Sequence, residues 1–405
     1  MAFNLEGIKI IQTASAAAGP MAGRLLADWG AEVICVEHTT RKAQVAQRRA
    51  NPLLWGRRSI VADIDYIPQN LNRNKRGITL NLGHDCGREI IYKLLQTSDV
   101  LLANFRPREL EKFKLEYETL SQLNPRLICA HLTGFGRKGP NKDEPGFGPT
   151  AGDSRSGFLH VLQVPGAEPP QLPVAYADFI TGLSLALGIM TALFIRERTG
   201  VGQEVDASLF STGVWANSND IAGALITKQD RQALGRKDSA SPLQNTYQTR
   251  DGRWLMLMLQ ELYWPRLCQA IGHEELEHDY RFETLEARIE NHLPLFYILD
   301  EVFLSKPLDE WKSRLTEAGL PWAPLQTLPE VTNDPQARAN NLFVTLNHPS
   351  YGRMEVATGP VKLSKTPETM RMAAPETGQH TEEVLRELGY KLDDINRFRA
   401  QGVIL

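Results

Sequence analysis

With 405 residues, 42% of them apolar and 23% charged, the chain carries the material for two to three domains of roughly 150 residues each and is not a disordered polymer. Its net charge of −3, with no run of five like charges, gives no electrostatic support to a nucleic-acid or membrane-surface partner.

Along the chain, "IKIIQTA" (8–14) predicts a buried strand. "PMAGRLLADWG" (20–30) predicts a helix, with Pro20 suited to its first position and Gly30 to its end. A strand over 31–37, a helix over 86–99, a strand over 100–105, a helix over 116–125 and a strand over 126–136 follow. Strands alternating with helices of this length predict an α/β domain with a parallel sheet covered on both faces. The apolar stretch Phe179 to Phe194 is sixteen residues, below the ~20 needed to span a bilayer, and predicts a buried core helix. A short strand is expected at 203–207 and a hairpin at 245–259 with Asp251-Gly252 as its turn. Helices are expected from Trp264 to about Gly319, strands at "LFVTL" and "GRMEVAT", and two helices at 380–389 and 392–402, the first capped by Thr381. Cys35, Cys86, Cys129 and Cys268 have no CxxC or metal-type spacing. They are read as reduced thiols, Cys35 and Cys129 buried, in a cytoplasmic protein. The first residues, "MAFNLEGIKI", lack the basic and apolar regions of a secretion signal.

Several segments could carry chemistry. The turn "TASAAAGPMAG" (13–23) has Gly19 and Gly23 but no G-x-G-x-x-G, which disfavours a nicotinamide dinucleotide. Its small residues either admit a phosphate at a helix N-terminus or pack helix on sheet. "NLNRNKRGITLNL" (70–82) and "NFRPRELEKFK" (104–114) are basic and amide-rich, and suit either a phosphate-bearing ligand or a solvated face. The long loop 132–149 is rich in Gly and Pro, and its N–H groups could meet an oxyanion. No H-x-x-x-H, H-E-x-x-H or G-x-S-x-G occurs, so neither a zinc site nor a serine-hydrolase elbow is expected. Asp178 reads as the N-cap of a helix starting at Phe179. The macrodipole and the free N–H groups there would hold its carboxylate ionised, as a covalent nucleophile requires.

Seven segments resemble the family III CoA-transferases, in the family's order over nearly the whole chain. They are "AGPMAGRLLADWGAEVICVE" (18–37), "NKRGITLNL" (74–82), "NFRP" (104–107), "LICAHLTGFGRKGP" (127–140), "YADFITGL" (176–183), "RERTGVGQEVDASL" (196–209) and "HTEEVLRELG" (380–389). The resemblance implies that Asp178 attacks an acyl-CoA thioester and passes through aspartyl anhydride and aspartyl-CoA intermediates. It implies coenzyme A thioester as substrate with no tightly bound cofactor and no metal. CoA contacts are implied at Ala17, His38, Asn72, Arg73, Asn74, Lys75, Asn104, Phe105, Arg106 and Lys112, with Thr133, Gly134, Phe135 and Gly136 as a loop at the cleft. The segment 141–157 resembles the branch acting on aryl and substituted dicarboxylic acids such as benzylsuccinate. It lacks the GHDINY-like motif of the acyl-CoA racemases that share the fold. Trp215, Tyr263 and Trp264 could line an acyl pocket or pack a core. The implied architecture is a Rossmann-like large domain from 1–200 and 335–405, a small α+β domain at 225–330, and linkers at 201–224 and 331–334. Two chains are expected to interlock, as a homodimer or as a heteromer with a homologous chain.

Overall fold

The computed structural model describes residues 5–50, 60–61, 64–172, 175–231, 234–238 and 241–405. Six strands form one parallel sheet: β1 (Lys9–Gln12), β2 (Glu32–Glu37), β3 (Lys75–Thr79), β4 (Val100–Ala103), β5 (Ile128–Thr133) and β6 (Glu204–Ser208). Their spatial order is β3-β2-β1-β4-β5-β6. The order reverses between β1 and β4, the doubly wound arrangement of Rossmann-like folds.

The continuous apolar runs of the central strands follow from cover on both faces. Because successive strand residues point to opposite faces, Ile10, Leu102 and Ala130 enter one core, and Ile11, Leu101 and Cys129 the other. The first core is closed by helices α1 (Ala18–Asp28) and α2 (Tyr176–Thr199), through Met21, Leu25, Leu185 and Ile189. The second is closed by the helix Asp85–Gln96 and by the C-terminal helices Thr381–Glu387 and Leu392–Ala400, through Ile90, Leu94, Leu385 and Phe398. The two helices of the first core approach closely at Gly182, where a Cβ would stand 2.6 Å from the Ala18 carbonyl oxygen and 3.0 Å from Met21 Cβ. Only glycine permits that spacing.

Residues 1–160, 171–229 and 338–405 make one compact unit. Its C-terminal part is tied in by polar contacts: Thr79 N–H donates to Thr381 Oγ1 at 3.1 Å, and Leu405 N–H to Thr79 Oγ1 at 3.0 Å. The second unit, 161–170 and 230–337, holds a three-stranded antiparallel sheet (Thr246–Gln248, Trp254–Leu257, Trp322–Pro324). Its helices pack Phe296, Phe303 and Trp311 around Tyr247.

Several expectations are corrected. The segment 201–224 is not a linker: it contributes β6, paired along its length with β5, and the helices Leu209–Ala216 and Ser218–Thr227 begin within it. The strand expected at 203–207 is therefore present as Glu204–Ser208, an edge strand with alternating polar residues that belongs to the sheet. Residues 161–170 join the second unit, which their composition gave no sign of. Thr381 is the first residue of its helix, its hydroxyl spent on β3 rather than on a cap. Pro20 is the third residue of α1. Helix α2 has 24 residues, not sixteen, and by length and composition alone is long and apolar enough to cross a membrane. The length argument therefore fails; what marks α2 as a core helix is the face it buries against α1 and the sheet, from Ala177 to Arg196.

Candidate active site

The carboxyl ends of β1, β4 and β5 open onto a cleft of about 390 Å³, at the point where the strand order reverses. Its wall is built from Ser15, Ala16, Ala18 and Gly19 after β1, Asn104 to Arg106 after β4, Thr133 and Gly134 after β5, and the loop Glu144 to Phe147. Glu109, Leu132, Asp178 and Leu209 complete it.

Local chemistry fixes each part of this wall. Asn104 locks the β1 loop: Ser15 N–H donates to its Oδ1 and its Nδ2 donates to the Ser15 carbonyl, both at 3.1 Å. Ala16, next in that loop, has φ of +64°, a left-handed conformation that costs a non-glycine residue. Thr133 Oγ1 accepts from Gly136 N–H at 2.9 Å and so shapes the turn after β5. Gly134 and Gly146 let two backbones cross, since a Cβ on Gly134 would lie 2.7 Å from Gly146 Cα.

Asp178 is half-buried, in the third position of α2 rather than at its cap, which is Ala175 with φ of +69°. Its carboxylate accepts from its own N–H and from the N–H of Ala18, so two helix N-termini serve it. These donors favour the ionised form, but burial and the neighbouring Asp153 charge outweigh them and raise its pKa above the ordinary aspartate value. The helix-end N–H groups act in the expected direction, and burial with Asp153 sets the net shift. Gly148 faces this carboxylate: a Cβ there would stand closer than 3.0 Å to Asp178 Oδ2. Among the described residues Arg106 is the only cation in the wall, held bidentate by Glu109 (2.7 and 3.1 Å), against Glu109, Glu144 and Asp178 as anions.

Of the expected CoA contacts, Asn104, Phe105, Arg106, Thr133 and Gly134 line the cleft with Asp178, and Ala17 lies within its first loop at the start of α1. Phe135 and Gly136 follow Gly134 but are not part of the wall; the Phe135 ring lies 4.9 Å from the Arg155 guanidinium. Arg73, Asn74 and Lys75 are corrected most. All three are buried in the core, where Arg73 donates to Asp28 at 2.8 Å and Asn74 Nδ2 to the same carboxylate at 2.7 Å. Lys75 Nζ meets the oxygens of Gln12, Pro20, Leu71 and Asn72 at 2.8–3.0 Å. Burial nonetheless pushes Lys75 down to about 7. These side chains hold β3 against α1 and are shut away from the cleft; the one atom of theirs without a partner, Arg73 Nη1, is itself buried. Asn72 lines a separate, smaller cavity with Glu37, Arg41 and Tyr351. His38 is exposed at the end of β2, bonded to Thr40, and Lys112 is exposed on the helix Pro107–Phe113; neither reaches the cleft wall. Trp215 is exposed, and Trp264 belongs to the core of the second unit. Sequence reasoning missed Glu109, Leu209 and above all Asp153, a buried carboxyl in a π-helical turn over Gly148–Ser154. The two glycines of that turn, four apart, were the available signal.

The family described as CoA-transferase family III matches residues 5–381. The chain is 33% identical to the (R)-2-hydroxy-4-methylpentanoate CoA-transferase of Clostridioides difficile over 99% of both chains. It is 30% identical to the cinnamoyl-CoA:phenyllactate CoA-transferase of Clostridium sporogenes, over 99% of this chain and 97% of that one. The crystal structure of a CAIB/BAIF family protein from Brucella suis superposes with a TM-score of 0.82 at 28% identity, covering 96% of this chain and 100% of that one.

Proposed function

The chain belongs to CoA-transferase family III, and from that premise we propose that Asp178 is the covalent nucleophile that carries CoA from one carboxylic acid to another. The single observation behind this assignment is the half-buried Asp178 carboxylate in the cleft wall, served by the N–H groups of two helix ends.

In this reaction an Asp178 carboxylate oxygen attacks the thioester carbonyl of the donor. The C–S bond breaks, its electron pair leaves on sulfur as CoA thiolate, and a mixed aspartyl anhydride remains. The thiolate then attacks Asp178 Cγ, the anhydride C–O bond breaks, and the donor acid departs as carboxylate. The incoming acid reverses both steps on the aspartyl-CoA thioester. No net proton moves, so a carboxylate suffices as nucleophile and no separate base is required. The backbone at Gly19, at the start of α1, and at Gly134 lines the same cleft as Asp178 and is assigned to support the oxyanions.

The acceptor proposed is an acid with an apolar or aryl substituent, benzylsuccinate among them, with succinyl-CoA as a donor. Phe105, Leu132, Phe147 and Leu209 supply the apolar wall for that substituent. The two relatives act on 2-hydroxy acids with a branched-alkyl or phenyl tail by their names, so phenyllactate and 2-hydroxy-4-methylpentanoate belong in the same acceptor panel. We further take the working form to be an interlocked pair of chains. The exposed Phe179, Leu183 and Leu187 at four-residue spacing on α2 give a stripe for such pairing, and sedimentation of the purified chain tests it.

Asp178→Ala is expected to lower transfer on the order of a thousandfold or more while CoA still binds. Hydroxylamine added with acyl-CoA is expected to leave a hydroxamate on Asp178, read by mass spectrometry. Full activity in the variant, or a hydroxamate on another residue, refutes the assignment.

A further inference from the structure

Asp153 has no role in the reaction as written, yet its place is unusual. The residue is 4% exposed, and its carboxyl oxygens keep what solvent contact it has. A carboxyl held this deep in the turn, so close to a reactive carboxylate, calls for an account. The turn that carries it lies directly on the first turn of α2. Gly148 faces Asp178 Oδ2, and a Cβ on Gly152 would stand 2.5 Å from Ala177 Cβ.

We propose that Asp153 is a positioning residue of this transfer, a buried carboxyl beside Asp178 that balances which half of the mixed anhydride leaves. The proposal rests on Asp178 as nucleophile. When CoA thiolate attacks the anhydride it has two carbonyls to choose from. Attack at the substrate carbonyl breaks the bond to the Asp178 oxygen, expels aspartate and returns the starting acyl-CoA. Attack at Asp178 Cγ expels the substrate carboxylate and moves the reaction forward. The weaker base leaves faster. An ordinary aspartate, at about 3.9, is a weaker base than an alkyl carboxylate such as glutamate, at about 4.3, so an unadjusted Asp178 would favour return. A second buried carboxyl close by makes ionised Asp178 less stable and more basic, and brings the two leaving groups together.

The surroundings leave this effect uncompensated. The helix Leu209–Ala216, which packs against the Asp153 turn, carries no charged residue, and α1 offers Asp178 only the Ala18 N–H. On α1 itself Arg24 is paired with Asp28. In the cleft wall Arg106 is held by Glu109, and Glu144 is exposed. Arg155, next to the turn, is exposed and engaged by Asn141 at 2.7 Å and by the Phe135 ring. Burial raises Asp153, and burial followed by Asp153 raises Asp178.

The test is carboxyl ¹³C NMR titration of aspartate-labelled enzyme, with Asp178→Asn assigning the Asp178 signal. In Asp153→Asn the Asp178 midpoint is expected to fall to lower pH. The acid limb of kcat/KM is expected to follow it, and kcat to drop several-fold as the anhydride returns. The coupling is reciprocal, so Asp178→Asn must lower the Asp153 midpoint by the same amount, a measurement that stands even if Asp153→Asn does not fold. Midpoints unmoved in both variants overturn the proposal. Shifted midpoints with kcat unchanged overturn the leaving-group balance. Full activity in Asp178→Ala overturns the nucleophile assignment instead, and is told apart because the NMR shifts would remain.

Discussion

Gly148→Ala isolates the geometry of the nucleophile from the stability of the fold. The added methyl would stand closer than 3.0 Å to Asp178 Oδ2, while its next neighbours, Asp178 Cγ at 3.4 Å and Ala177 Cβ at 3.8 Å, are at ordinary contact distance. Gly148 is not among the residues with positive φ, so alanine brings no backbone strain. The clash therefore falls on one carboxylate oxygen, which must swing aside by on the order of 1 Å to reach normal contact. A displacement of that size at a reacting atom costs about a hundredfold in rate, or about 2.7 kcal/mol of transition-state stabilisation. The expected result is a kcat/KM about a hundredfold lower with a Tm within a few degrees of the parent. CoA affinity, read by calorimetry, should be unchanged. Activity within threefold of the parent would show that Asp178 reacts from a different rotamer and would refute the reasoning.

Three further outcomes are expected. Asp28→Asn leaves the buried guanidiniums of Arg24 and Arg73, paired to Asp28 at 3.1 and 2.8 Å, without their counter-charge, and should cost about 3–5 kcal/mol in urea unfolding. Gly182→Ala pushes α2 off the Ala18 carbonyl, costing about 1–3 kcal/mol, and should lower activity as well, because Ala18 also donates to Asp178. Glu204 is held down to about 2, first by His131 and then, against its own desolvation, by Arg137. A depressed carboxylate stabilises the fold above its unfolded value, about 4.5, and that contribution is lost as pH falls through 4.5 toward 2. Glu204→Gln should be less stable at neutral pH and show a shallower loss across that window in acid unfolding.

The alternation of apolar strands and short helices made the central sheet legible, because the buried strands carry apolar runs: Ile10-Ile11 in β1, the whole of β4, and Ile128 to Ala130 in β5. The edge strand β6 followed a different rule and was expected at the right residues but given to a linker. Asp178 was legible as a residue near a helix start, although its exact position and the direction of its titration were not. Those depend on Ala18 and Asp153, which the fold brings in from distant segments. The basic stretch at Arg73 to Lys75 misled for a physical reason: nothing local distinguishes a cation that meets phosphate from one that meets an aspartate, as Arg73 does, or four amide oxygens, as Lys75 does, across the core. Asp153 was illegible because burial is a property of packing, not of composition.

The order in which the sheet is assembled along the chain has a consequence for synthesis. The 24-residue apolar helix α2 leaves the ribosome after β1 to β5 and α1 have been made, and before β6. At roughly 5–20 residues per second, seconds pass between completion of the first five strands and arrival of the sixth. During that interval the surface of α1 that accepts Gly182 is already built, and the helix has a docking place on its own chain before any lipid or targeting factor competes for it. Changes that slow the docking of α1, rather than changes in α2 itself, are then what would send this segment astray.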